Sequence, residues 1–199
     1  MTTARNVSGL ARTFYRRLFR REEDAQLRSI VETLQHTPVF QTLARGDLRE
    51  LAEAMHVRTY KRDEFLYYEQ DPGLGLYVVQ RGRVRLFTED EAGVIYELRQ
   101  VGEREVFGEI SLFGSGDLRR METAQALTET RVLGFFSPDL KTMLRRTPKT
   151  AAAVTMALAR YLALRQMEMV RLLAERKGKA AAMRLLNGAN PPAERPALA

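Results

Sequence analysis

Between Val101 and Ala126 the chain reads VGEREVFGEISLFGSGDLRRMETAQA. Phe107-Gly108-Glu109, followed by Ile110-Ser111-Leu112, suits a tight turn running into a short helix. Gly108 has no Cβ and lets the backbone approach another group closely. N–H groups at a helix start favour an anion. Further on, Arg120 offers forked, charge-assisted donors of the kind that fit phosphate oxygens. The hydroxyls of Ser111 and Thr123 can add a contact. Plainer roles stay open for each residue. Glu109 and Arg120 also make sense as a structural ion pair, Phe107 as core, and Arg119 as a solvated loop charge.

Outward from this stretch, the middle of the chain is built of short β-rich runs. They fall at 56–60, 64–68, 76–79, 83–88, 95–99, 123–127 and 131–136. Turn residues separate them: Asp71-Pro72-Gly73, Arg81-Gly82, Ala92-Gly93, Gly102 and Gly114-Ser115-Gly116. Arg83-Val84-Arg85-Leu86 alternates as a half-buried strand does. Short strands at this spacing predict an antiparallel β-barrel of jelly-roll type. Helices flank it. Leu27, Ile30, Val31 and Leu34 mark one over 22–36, stopped by Pro38. Another short helix starts near Asp47. Ser137 reads as an N-cap with Pro138 at the first helical position. A long helix over 149–176 carries Val154, Leu158, Tyr161, Leu162, Arg165, Met169, Leu172 and Leu173 as a near-heptad seam that can pair two subunits. Lys177-Gly178-Lys179 breaks it before a short helix over 179–186. The fold class is therefore α+β.

At the N-terminus, residues 5–21 read as a basic amphipathic helix. Arg12, Arg16, Arg17 and Arg20 stand around an apolar face of Val7, Leu10, Phe14 and Leu18. That composition suits an anionic membrane surface, a partner groove or the protein's own body. At the other end, 187–199 has the Pro/Ala-rich composition of a disordered tail. The expected organisation is a helical extension over 1–36, a barrel over 37–136, C-terminal helices over 137–186, and the tail.

Composition removes several functions. None of the 199 residues is cysteine, so disulfides, thiolate nucleophiles and Cys-based zinc sites are excluded. His36 and His56 are the only histidines, and neither stands in a pattern of partners. No metal site is expected. No nucleophile–base pair and no triphosphate loop is visible, so the chain reads as no enzyme. The net charge of +7 and pI near 10.0 favour acidic partners without choosing among them. Without a signal-like segment or cysteine, the expected location is cytoplasmic.

These segments together resemble the cyclic-nucleotide-binding domain superfamily, which includes the catabolite activator protein and the regulatory subunit of protein kinase A. Thr37-Pro38-Val39-Phe40 opens the similar region. Tyr60, Asp71-Pro72-Gly73-Leu74-Gly75-Leu76-Tyr77-Val78-Val79 and Gly82-Arg83-Val84 follow in the family's order. The resemblance covers about 37–175. It implies a β-barrel sensor whose site is made of Phe107, Gly108, Glu109, Ile110, Ser111, Arg120 and Thr123. It gives Glu109 the ribose 2′-hydroxyl and Arg120 the cyclic phosphate of cyclic AMP or cyclic GMP. No other cofactor is required.

The chain departs from the family where Arg-x-Ala-Thr or Arg-x-Ala-Ser is usual, reading Arg120-Met121-Glu122-Thr123. Strand periodicity would put Glu122 on the side of Arg120. Its carboxylate would repel a phosphate roughly 6 Å away by about 3 kcal/mol at an effective dielectric of 20, or about a hundredfold in affinity. It could also pair with Arg120 and block the ligand. Arg104, Gln70 and Asp63 stand where the family usually has turn glycines. Two functions follow as expectations. One is a sensor or adaptor in which ligand shifts the C-terminal helices toward a protein partner or a twin subunit, with the 149–176 helix as the homodimer contact. The alternative is a degenerate domain that binds no nucleotide and serves as a dimerisation or docking module. Sequence-specific DNA binding is not expected.

Overall fold

Alternation governs the middle of the chain. Val84 and Leu86 are buried while Arg85 between them is half-buried, as the two-residue period of a strand requires. The computed structural model describes residues 22–114 and 118–188. The expected helix over 5–21, with Arg12, Arg16, Arg17 and Arg20, lies outside the described residues, as does 189–199 of the expected tail.

The described part of helix α1 covers 22–35 and α2 is Arg45–Glu53. Eight strands follow: β1 (His56–Tyr60), β2 (Phe65–Tyr67), β3 (Gly75–Arg81), β4 (Val84–Glu89), β5 (Ile95–Val101), β6 (Val106–Phe107), β7 (Thr123–Ala126) and β8 (Thr130–Phe136). A 3-10 helix, Glu109–Phe113, sits between β6 and β7. Helices α3 (Ser137–Arg146), α4 (Pro148–Lys177) and α5 (Lys179–Leu186) complete the order. The chain divides into two compact units after Ala157.

The strands form two four-stranded antiparallel sheets, ordered β1-β8-β3-β6 and β2-β7-β4-β5. This is the jelly-roll arrangement expected of the sequence. Between the sheets lie Tyr67, Tyr77, Val79, Val84, Leu86, Val101, Phe107, Ala124 and Val132. Burying a large apolar side chain completely contributes about 1.5–3 kcal/mol, so this layer is what holds the sheets face to face. The start of α4 is fixed by Thr150, whose hydroxyl donates to Asp47 of α2 at 2.6 Å. Ala151 and Val154 on the same turns are fully buried.

Two details differ from expectation. Strand β6 lies outside the seven runs that alternation marked. It pairs with β3 through Tyr77–Phe107 and Val78–Val106. The other is the cap of α3, which is Phe136 and not Ser137. Asp139 reaches back to accept from the Phe136 N–H at 2.9 Å. Ser137 turns away, and its Oγ donates to Leu112 O at 2.7 Å. That bond ties α3 to the 3-10 helix after β6.

Candidate functional site

Arg120 is only 3% exposed although it precedes β7 in an irregular segment. Backbone pairing places it. Arg120 N–H donates to Asp71 O and Arg120 O accepts from Gln70 N–H, both at 2.9 Å. Gly73 N–H bonds to Leu118 O at 2.9 Å, and Pro72 bridges Arg119. The 118–120 segment is thereby zipped along 70–73, and its last side chain is driven inward.

The guanidinium lies over the face of Tyr67, 4.1 Å from the ring centroid, with Tyr77 next at 5.7 Å. Such stacking stabilises a desolvated cation by up to about 2 kcal/mol. Its Nη1 donates to Gly108 O at 3.2 Å and to Ser111 Oγ at 3.4 Å. Its Nε is buried and has no partner. The partners described for this charge are thus two aromatic rings, a carbonyl and a hydroxyl, all of them neutral.

Gly108 makes the approach possible. It follows β6 with φ +71°, and a Cβ there would collide with Arg120 Nη1. Gly73 plays a similar part across the site, since a Cβ would run into the Ser111 side chain. Glu109 and Ser111, in the 3-10 helix, are each 5% exposed. Thr123 Oγ1 accepts from Glu69 N–H at 2.9 Å, which joins β7 to the chain after β2. Phe107 is fully buried and stacks on Tyr77 with centroids 5.3 Å apart, so its ring is core. Ile110 is exposed, with Phe113, Leu118 and Met121, on the segments flanking the arginine.

Glu122 is held differently from the strand-period expectation. Strand β7 begins only at Thr123, and 121–122 form a bend. Its Oε1 accepts from the Tyr67 hydroxyl at 2.8 Å. Burial first, and then the Glu122 carboxylate, push the Tyr67 phenol far above the ordinary tyrosine range. Tyr67 therefore touches both charges, Arg120 by its face and Glu122 by its hydroxyl. Tyr67 was not singled out from the sequence. The available signal was an arginine in an apolar barrel, which needs an aromatic or anionic neighbour.

The family model for the cyclic nucleotide-binding domain matches residues 57–147. This chain belongs to the cyclic-nucleotide-binding domain superfamily. It is similar to the cyclic AMP receptor protein of Thermus thermophilus, 33% identical over 126 residues, which cover 63% of this chain and 57% of that protein. It thus spans little more than half the length of that relative. Among solved structures, the N-terminal domain of a transcriptional regulator from Streptomyces coelicolor is 36% identical, with a TM-score of 0.61 over 69% of this chain and 94% of that one. A cyclic nucleotide-binding domain from Methylobacillus flagellatus shares the fold at 23% identity and a TM-score of 0.64, covering 77% of this chain and 85% of that one. No helix among the described residues of this superfamily member is long and apolar enough to cross a membrane.

Proposed function

We propose that this chain is a non-catalytic cyclic-nucleotide sensor, in which cyclic AMP or cyclic GMP places its phosphate against Arg120. The carrying observation is the buried Arg120 guanidinium, with Nε unpartnered and its other described contacts neutral. A desolvated charge of this kind is costly unless an anion joins it. Ser111 Oγ and the Gly108 backbone stand beside the same guanidinium. In this reading Glu109 takes the ribose hydroxyl, Thr123 adds a hydroxyl contact, and the exposed Ile110 and Met121 border the ligand's base. The similarity to a cyclic AMP receptor protein supports it. Ligand would act by favouring one arrangement of the helices after β8, which requires different affinity for the two arrangements. We include a homodimer through the 149–176 helix and an anionic surface or protein partner for Arg12, Arg16, Arg17 and Arg20.

One observation favours the second reading, a domain that has lost its ligand. Arg120 already lies over the ring of Tyr67, whose hydroxyl is bound to Glu122. A phosphate arriving there meets a carboxylate one phenol away. Calorimetric titration with cyclic AMP and cyclic GMP, on the native chain and on Arg120→Ala and Glu122→Ala, decides between the two. Micromolar binding lost in Arg120→Ala is the expected result. Binding seen only in Glu122→Ala means a site blocked by its own carboxylate. No binding in all three leaves the docking module.

A further inference from the structure

Gly108 lies beside Gly75 at the start of β3. At the other end of that strand, roughly 20 Å away along the extended chain, a second cleft of about 330 Å³ opens between α1 and the sheet. Three arginines line it from three elements: Arg81 of β3, Arg104 of the β5–β6 turn and Arg131 of β8. Among the described residues none of the three is in an ion pair or donates a side-chain hydrogen bond. Two buried polar atoms at the cleft are unpartnered, the Arg131 Nε donor and the Gln80 Oε1 acceptor. Gln80 is fixed in place, because its Nε2 donates to Ser29 Oγ at 3.2 Å and Thr33 Oγ1 at 3.1 Å on α1.

Arg104 carries a separate signal. It has φ +67°, a left-handed conformation that costs a non-glycine residue about 1–2 kcal/mol. The backbone there is pinned, since Arg104 N–H donates to Val79 O at 2.7 Å. A glycine would meet that geometry without strain, yet the position holds an arginine, and that arginine lines the cleft. Glu32 and Glu103 also line it. Three guanidiniums against two carboxylates leave a surplus of one positive charge. The demand is then for an anion that also brings a hydroxyl donor for Gln80.

We propose that this cleft binds a small phosphate monoester, with Arg104 and Arg131 donating to the phosphate and Gln80 accepting from a hydroxyl of the ligand. Charge-assisted pairs of this kind are short and directional. The site is independent of the Arg120 site.

The test is calorimetric titration of the full chain with glycerol 3-phosphate at low ionic strength, with glycerol as the uncharged control. The native chain and Arg120→Ala are expected to bind glycerol 3-phosphate and not glycerol. Arg104→Gly and Arg131→Lys are expected to weaken it by about tenfold or more, while the unfolding midpoint of Arg104→Gly does not fall. No binding by the native chain overturns the proposal. So does binding lost only in Arg120→Ala, which would place the anion in the other site, and so does binding indifferent to both arginine variants. Flotation with phosphatidic acid vesicles separates the sources of the phosphate. Arg104-dependent flotation assigns a lipid headgroup, and Arg104-dependent binding in solution alone assigns a soluble metabolite.

Discussion

At the scale of single residues, Tyr67 and Gly108 hold Arg120 between them. Gly108→Ala puts a methyl group into Arg120 Nη1 at a positive φ. The left-handed conformation alone predicts a loss of about 1–2 kcal/mol, read from urea unfolding, and the displaced guanidinium lowers any nucleotide affinity with it. Tyr67 gives a pH dependence. Its phenol is held protonated in the folded protein by burial and then by Glu122, whereas an unfolded tyrosine ionises near pH 10, an ordinary value of about that size. The native state therefore keeps a proton that the unfolded state releases. Its contribution is full below pH 10 and declines as pH rises above it, by up to about 1.4 kcal/mol per pH unit. Tyr77 and Tyr60, also raised chiefly by burial, add to the decline. The Tyr67→Phe variant is expected to lose stability less steeply than the native chain in urea titrations between about pH 9 and 11. Equal slopes would show that Tyr67 ionises normally.

Secondary-structure elements show what the sequence made readable. Seven strands were legible because Val, Leu, Tyr and Phe alternate with polar residues between Gly and Pro turns. Strand β6 was not, since Val106–Phe107 is too short to alternate and is a strand only because β3 lies beside it. The α3 cap was misplaced for a related reason. Ser137 has the right chemistry, but its hydroxyl is taken by Leu112 O, a partner distant in sequence. Asp139 supplies the capping bond and also faces His56, whose Nε2 lies 3.1 Å from each of its carboxylate oxygens. Asp139→Ala is expected to cost about 1–2 kcal/mol in urea unfolding, and Asp139→Asn less, because the amide oxygen keeps the cap. Arg104, Gln70 and Asp63, read as replacing turn glycines, all have φ +67°. The turns kept their shape and took the strain. Gln70→Gly relieves it without touching a charged cleft. Part of the gain is offset by the freedom glycine adds to the unfolded chain, leaving a stabilisation of about 0.5–1 kcal/mol. Of the candidate site, the sequence offers the residue types in order, and the structure brings Arg120, Gly108 and Ser111 together. The Tyr67–Glu122 contact was not legible, because 55 residues separate its partners.

At the scale of the whole molecule, the sensor function proposed above requires that the barrel's state reach another surface. Helix α4 offers one. Met169 and Leu172, both on the near-heptad seam, are exposed in the single chain. Apolar side chains three apart on a helix face are neighbours and suit burial against a second helix. Sedimentation equilibrium is expected to show a dimer of the 22.7 kDa chain, and Met169→Glu with Leu172→Glu to return it to monomer with its barrel intact. A native chain that sediments as a monomer would remove the seam as a self-contact and leave α4 to a different partner. The same measurement with cyclic AMP tests the coupling. By linkage, a nucleotide that tightens the dimer must itself bind the dimer more tightly; with one site in each protomer, the dimer constant shifts by the square of the change in affinity at each site. A dimer constant unmoved by saturating nucleotide would mean that the ligand's message does not pass through this helix.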